Sequence, residues 1–205
     1  MEMISSMGVL LGSSWASGVN LYMSVAGLGI AHRMNWLELP GDMEIISHPL
    51  IIGVAGALYL VEFVADKIPY VDSIWDSVHT FIRPVASAVL GYMAMGEAGQ
   101  VMQALTALLT GGIALDSHLT KATTRLAINA SPEPVTNSIA SVTEDATVIG
   151  TLYLIINHPA AIAVLVTVFI IFSIWFLMKM FKFMKKVFSF SDKGKHAYLE
   201  SGNIT

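Results

Sequence analysis

Two long stretches, Met3 to Ala31 and Pro159 to Met178, contain no Asp, Glu, Lys or Arg, and few folds are open to a chain that must accommodate both. A bilayer's hydrocarbon core takes about 20 apolar residues as a helix, because in lipid each backbone polar group must be satisfied within its own segment. Three shorter charge-free runs, Pro49 to Val61, Ala98 to Leu115 and Ala146 to Asn157, lie between the two. Charged residues make up 13% of the 205, against about 25% in an ordinary soluble domain. The expected class is therefore all-α: a polytopic transmembrane helical bundle of six spans, with interrupted or kinked helices.

The six spans are placed at roughly 5–31, 49–65, 84–96, 98–116, 135–157 and 159–180. Residues 84–96 are too short to cross alone at about 1.5 Å per residue, so they read as half of a longer helix that begins near Tyr70 and kinks at Pro84. Only an acid, Glu2, lies among Met1 to Met7, and without a basic leader the first stretch reads as a retained helix. Ser17-Gly18 in its middle is a place where that helix can break. Residues 1–190 are expected to form a single transmembrane domain and 191–205 a polar, mobile cytoplasmic tail.

Orientation follows from the basic residues. With six spans and both termini inside, ten of the eleven lysines and arginines fall on the cytoplasmic side and only Arg33 outside, as the positive-inside rule requires. The lysines between Lys179 and Lys186 interleave with Phe181, Phe183, Met184 and Phe188, a pattern suited to the bilayer surface and its anionic head groups. The absence of cysteine excludes disulfides, thiolate metal sites and a cysteine nucleophile. With the basic residues needed at the membrane edge, no nucleic-acid partner is expected.

Three polar clusters stand out. In the first, Glu62 and Asp66 share a helix face, and Asp72, Asp76 and His79 follow at i, i+4 and i+7 on one face of the next helix. Two carboxylates and an imidazole so placed can hold a divalent metal ion, or form a salt-bridged, solvated face at the membrane surface with Lys67 and Arg83. In the second, His118, Lys121 and Arg125 make a basic face that can neutralise the acidic one, or hold a phosphate or anionic head group beside it. Both faces lie at one membrane depth, so Asp76 and His79 are expected to approach the 118–125 segment. The third cluster, Asn137 to Thr147, puts Glu144 and Asp145 inside a span, where a carboxylate costs at least about 2.5–3.5 kcal/mol. No lysine or arginine is expected at their depth, and Asn20 and Tyr22 of the first span are their expected hydrogen-bond neighbours. No complete motif of a known enzyme class is present.

The strings Ala16 to Tyr22 (ASGVNLY), Glu62 to Pro69 (EFVADKIP), His79 to Pro84 (HTFIRP) and Ser131 to Pro134 (SPEP) resemble a family of small bacterial membrane proteins described as a domain of unknown function. The resemblance covers roughly residues 10–160 and implies the bacterial inner membrane, without bringing a reaction or a substrate. The function expected from the residues is a small transporter or channel-like protein, a homo-oligomer, for an ion or small solute. Its path would pass Asn20, Glu144 and Asp145 and meet Glu62, Asp66, His118, Lys121 and Arg125 at the cytoplasmic mouth. Two alternatives stay open. One is a membrane-embedded enzyme on a phosphorylated lipid, with metal at Asp72, Asp76 and His79 and phosphate at Lys121 and Arg125; the other is an accessory membrane subunit.

Overall fold

Four of the helices begin on a proline, Pro49, Pro69, Pro134 and Pro159, where the fixed φ suits the first turn and the missing N–H costs no hydrogen bond. The computed structural model describes residues 2–129 and 134–201, with side chains for 3–68, 70–128, 135–183 and 185. Among the described residues the chain is all-helical, without a strand. Its α-helices are α1 (Glu2–Val19), α2 (Leu21–Arg33), α3 (Pro49–Ala65), α4 (Pro69–Ala94), α5 (Gln100–Asn129), α6 (Pro134–Asn157) and α7 (Pro159–Ser201), with a short 3-10 helix at Gly41–Ser47.

The first charge-free stretch is two helices broken at Asn20, two residues beyond the break expected at Ser17-Gly18. Asn20 has extended backbone angles (φ −147°, ψ 100°) and caps α2 by accepting from Met23 N at 2.9 Å. The break leaves carbonyls of the last turn of α1 without helical partners, and side chains of other helices bind them. The expected long helix through Pro84 is present as α4. The 3-10 helix folds the 32–48 connection back onto the bundle, burying Met43 and Ile46. Of the sequence features singled out above, Ser131 to Glu133 lie outside the described residues. Helix α7 carries the backbone through the segment expected as a tail as far as Ser201; the side chains of Met184 and Phe188 and residues 202–205 also lie outside.

Among the described residues two helices are long and apolar enough to cross a membrane, Val135–Asn157 and Pro159–Phe183, and the 3-10 helix with α3, bent by 67°, would make a third if that pair is one span. Helices α4 and α5 do not qualify by composition, and the reason is an inverted distribution of side chains. On α4, Asp72, Asp76, His79, Arg83 and Ser87 face inward while Ile74, Val78, Phe81, Val85 and Val89 face out; Phe81 is 76% exposed and Arg83 0%. On α5, Thr110, Ser117, His118, Lys121 and Arg125 are buried, and Val101, Leu105, Leu108 and Leu109 are exposed. A soluble helix turns its apolar stripe to the core; here the stripe faces the surroundings and the ions face the core.

Close helix approach makes room for this interior. Ser87 Oγ donates to the Thr110 carbonyl and Thr110 Oγ1 to the Ser87 carbonyl, both at 3.0 Å, tying α4 to α5 in the manner of small polar residues in membrane bundles. Helix α1 meets α5 at Gly18, where a Cβ would lie 1.9 Å from Ser117 Oγ and 2.2 Å from the Ala114 carbonyl oxygen. Gly18→Ala is expected to force the helices apart and to destabilise by about 1–3 kcal/mol. Thermal unfolding in detergent measures this; an unchanged midpoint would mean that the contact is not close in solution.

Candidate functional site

The inward faces of α3, α4, α5 and α6 and the break at Asn20 meet in one buried ionic network. Glu62, at the end of α3, is fully buried and pairs with Arg83. Arg83 Nη1 also donates to the Gly18 carbonyl at 3.0 Å and to His118 Nδ1 at 2.8 Å, with Asp76 Oδ1 at 3.7 Å. Since a guanidinium only donates, His118 Nδ1 carries no proton. The ring is therefore the neutral Nε2–H tautomer, with the Asp76 carbonyl at 3.1 Å and Thr80 Oγ1 at 2.9 Å. In His79, Nδ1–H donates to the Trp75 carbonyl at 2.8 Å, and Nε2 lies 3.0 Å from Tyr22 OH.

Lys121 is the hub. Its Nζ lies 3.2 Å from Asp66 Oδ2, 3.3 Å from Glu144 Oε2, 3.7 Å from Glu62 Oε1 and 3.8 Å from Asp76 Oδ1. It also donates to the Val19 carbonyl at 3.3 Å, at the helix break. One turn along α5, Arg125 grips Glu144 with Nε and Nη2, both at 2.8 Å, the bidentate fit of guanidinium to carboxylate. Its Nη1 donates to Asn137 Oδ1 at 2.8 Å and to the Asn137 carbonyl at 3.0 Å, and Asp72 Oδ1 stands 4.0 Å from Nε. Asn137 Nδ2 in turn donates to the Asp66 carbonyl at 2.8 Å, where α3 ends.

Asp145 differs from the other carboxylates. Asn20 Nδ2 donates to its Oδ1 at 3.2 Å and Tyr59 OH to its Oδ2 at 3.3 Å. Among the described residues no lysine or arginine nitrogen lies within 4.0 Å of it. Lys67, outside the helices at the rim, donates to the Phe63 carbonyl at 2.9 Å, lies 3.5 Å from Ser141 Oγ and stacks over the Phe63 ring at 3.0 Å. Burial pushes the Lys67 ammonium below its ordinary pKa, against the opposing pull of Asp145 and Asp66.

Several expectations need correcting. Asp76 does meet the 118–125 segment, but the three polar clusters are one network rather than a mouth and a separate mid-depth site. Glu144 has two cations beside it, Arg125 and Lys121, where none was expected. Tyr22 bonds His79 and not Asp145. Asp72, Asp76 and His79 do not form a metal cage: no group of three or more His, Asp or Glu that could hold a metal ion occurs among the described residues, and Arg83, Lys121 and Arg125 lie against the two carboxylates instead. Lys121 and Arg125 are turned to carboxylates and carbonyls, so the basic face expected for an anion is internal. Tyr59 was not foreseen; the available sign was a phenol one helical turn before Glu62 in an otherwise apolar run. Asn137 was seen only as one polar residue among several, although its amide closes the end of α3.

An all-helical protein with an apolar exterior and an ionic interior is the class that fold and site define. The chain belongs to the family described as Domain of unknown function (DUF4126), whose family model matches residues 7–179, a range that includes every residue of the network. No curated protein and no solved structure matches the chain.

Proposed function

We propose that this chain is a multi-pass protein of the bacterial inner membrane that moves a small cation through its ionic core. The observation that carries the reading is an imbalance of charge. Among the described residues, five buried carboxylates, Glu62, Asp66, Asp72, Asp76 and Asp145, and the partly exposed Glu144 meet three cationic side chains, Arg83, Lys121 and Arg125. Lys67 at the rim makes a fourth, and the His118 ring has the hydrogen-bond pattern of a neutral one. Buried charge without a partner is strongly disfavoured, so a core with this excess of carboxylates takes up protons or metal cations. Asp145, held by two neutral donors beside the helix break, is the group best suited to take up and release one.

The inverted side-chain distribution of α4 and α5 supports six spans despite their mean composition, since lipid meets the outer stripe and not the buried ions. Arg83, Lys121 and Arg125 are buried and so do not count as loop charges, which leaves Lys67 and the six lysines from Lys179 onward against Arg33. The positive-inside preference thus still puts both termini in the cytoplasm. The exposed Phe181 and Phe183 and the lysines among them would rest on anionic head groups.

The native chain has no cysteine, so single cysteines introduced at Asp42 and Lys195 report topology cleanly. They should react with an impermeant maleimide from opposite sides of the membrane, Asp42 from outside. Reaction of both from outside removes the six-span arrangement. Reconstituted vesicles should show proton or alkali-cation flux above protein-free controls, and equality with those controls removes the transport reading.

A further inference from the structure

We infer that Asp116 and Ser173 form a proton-binding site at the seam of α5 and α7, outside the ionic core and reached from the bilayer side. Asp116 precedes His118 by two residues, about 200° of helix rotation, so it leaves α5 on the side turned from the network. It is partly exposed, beside the exposed Gly112 and Leu115. Its Oδ2 meets the Oγ of Ser173, which is fully buried. Ser173 lies fourteen residues after Pro159 and ten before Phe183, the ends of the apolar stretch of α7. The pair is therefore near the middle of a helix able to cross a bilayer, where an ion without a partner is strongly disfavoured.

No cation answers this carboxyl. Among the described residues no lysine, arginine or histidine nitrogen lies within 4.0 Å of it. Helices α1, α4, α6 and α7 pack against α5. On α1 no residue from Met3 to Val19 carries an acidic or basic side chain. The first cation on α7 is Lys179, whose ammonium lies over the Trp175 ring at 4.3 Å. Asp72, Asp76 and Arg83 of α4, Glu144 and Asp145 of α6, and His118 and Lys121 of α5 itself are engaged in the network, and His79 bonds Trp75.

A proton count points the same way. A serine hydroxyl has one proton, yet Ser173 Oγ faces two acceptors, Asp116 Oδ2 and the Ile170 carbonyl at 3.0 Å. Both contacts are hydrogen bonds at once when Asp116 brings its own proton: the acid donates to Oγ, and Oγ–H donates to the carbonyl. An ionised Asp116 competes with that carbonyl for the single proton and keeps its charge in the apolar layer. Buried carboxyls in such a place neutralise instead. The site rests on α7 crossing the bilayer and not on transport through the core.

Dicyclohexylcarbodiimide, an apolar reagent that needs a protonated carboxyl, tests this on the native protein in vesicles. The acid's proton passes to a reagent nitrogen as the carboxyl oxygen adds to the central carbon, and an oxygen-to-nitrogen acyl shift leaves a stable N-acylurea. At pH about 7 an ordinary aspartate is protonated to about 0.1%. Asp116 should therefore be modified at least about tenfold more than the exposed Asp42, read by peptide mass spectrometry. Modification no greater than that of Asp42 overturns the inference. Infrared difference spectra of the native protein against Asp116→Asn give an independent reading, because asparagine keeps the shape without a titrating group. The variant should lose the carbonyl stretch of a protonated carboxyl; loss of carboxylate stretches overturns the inference. Ser173→Ala should move that carbonyl band to higher frequency as its hydrogen bond is removed, and an unmoved band takes Ser173 out of the site. Modified Asp116 in a protein without flux keeps the proton site and removes transport.

Discussion

Arg83→Met is expected to lower unfolding stability by about 3–5 kcal/mol, the usual consequence of removing one partner of a buried ion pair. Arg83 and Glu62 are both fully buried, and the guanidinium also serves the Gly18 carbonyl and His118 Nδ1. Its loss strands acceptors on three different helices, α1, α3 and α5, in an interior where each unsatisfied group is costly. Thermal or denaturant unfolding in detergent gives the size of the effect. The double variant Arg83→Met/Glu62→Met removes both charges and keeps much of the volume, so it should be more stable than the sum of the single changes by about 1–3 kcal/mol. Simple additivity would show that Glu62 and Arg83 are not energetically coupled and that the pair is no keystone of the core.

The starts of α3, α4, α6 and α7 were legible because they rest on local chemistry, whereas α5 and α7 run on to Asn129 and Ser201, well past the expected 116 and 180. A proline stands at the first position of α3, α4, α6 and α7, and in α3 and α7 a long charge-free run follows it. The meeting of Asp76 with His118 was legible too, since i, i+4 and i+7 spacing fixes a face and the flanking charges fix a depth. The pairing of Glu144 with Arg125 was hidden by the same arithmetic. Arg125 lies four residues before the end of α5 and Glu144 ten after the start of α6, which at about 1.5 Å per residue separates their backbones in depth. Long side chains close such a gap, and sequence spacing does not record their reach. The choice between metal ligand and salt bridge at Asp72 and Asp76 depended on the rotation of α5 against α4. That rotation is fixed by close contacts such as Gly91 on Thr110 and Gly18 on Ser117, which no single helix's periodicity contains. The burial of the ionic face of α4 was not legible: i, i+4 and i+7 spacing marks a shared face without saying what meets it, and averaging along the helix mixes the exposed apolar stripe with the buried ions.

Asp145→Asn is expected to leave the protein folded and to reduce cation flux in reconstituted vesicles by at least about tenfold, the change that follows if a barrier rises by 1.4 kcal/mol or more. The fold should survive because neither neighbour depends on the charge: Asn20 Nδ2 and Tyr59 OH are neutral donors, and an asparagine keeps the shape and an acceptor oxygen. Asn20 also holds its cap on Met23 N through its other amide atom, Oδ1, so the helix break does not rely on Asp145. What the substitution deletes is the one carboxylate of the network that no lysine or arginine approaches within 4.0 Å among the described residues, and hence the one free to trade its charge for a passing cation. Glu144→Gln gives the contrasting result. Glu144 is gripped by Arg125 and touched by Lys121, so its neutralisation strands part of a guanidinium and should lower stability together with flux. Flux and melting temperature measured on both variants separate the two roles. Asp145→Asn with native flux would end its assignment as the carrier, and Asp145→Asn as unstable as Glu144→Gln would make it another strut of the ionic core.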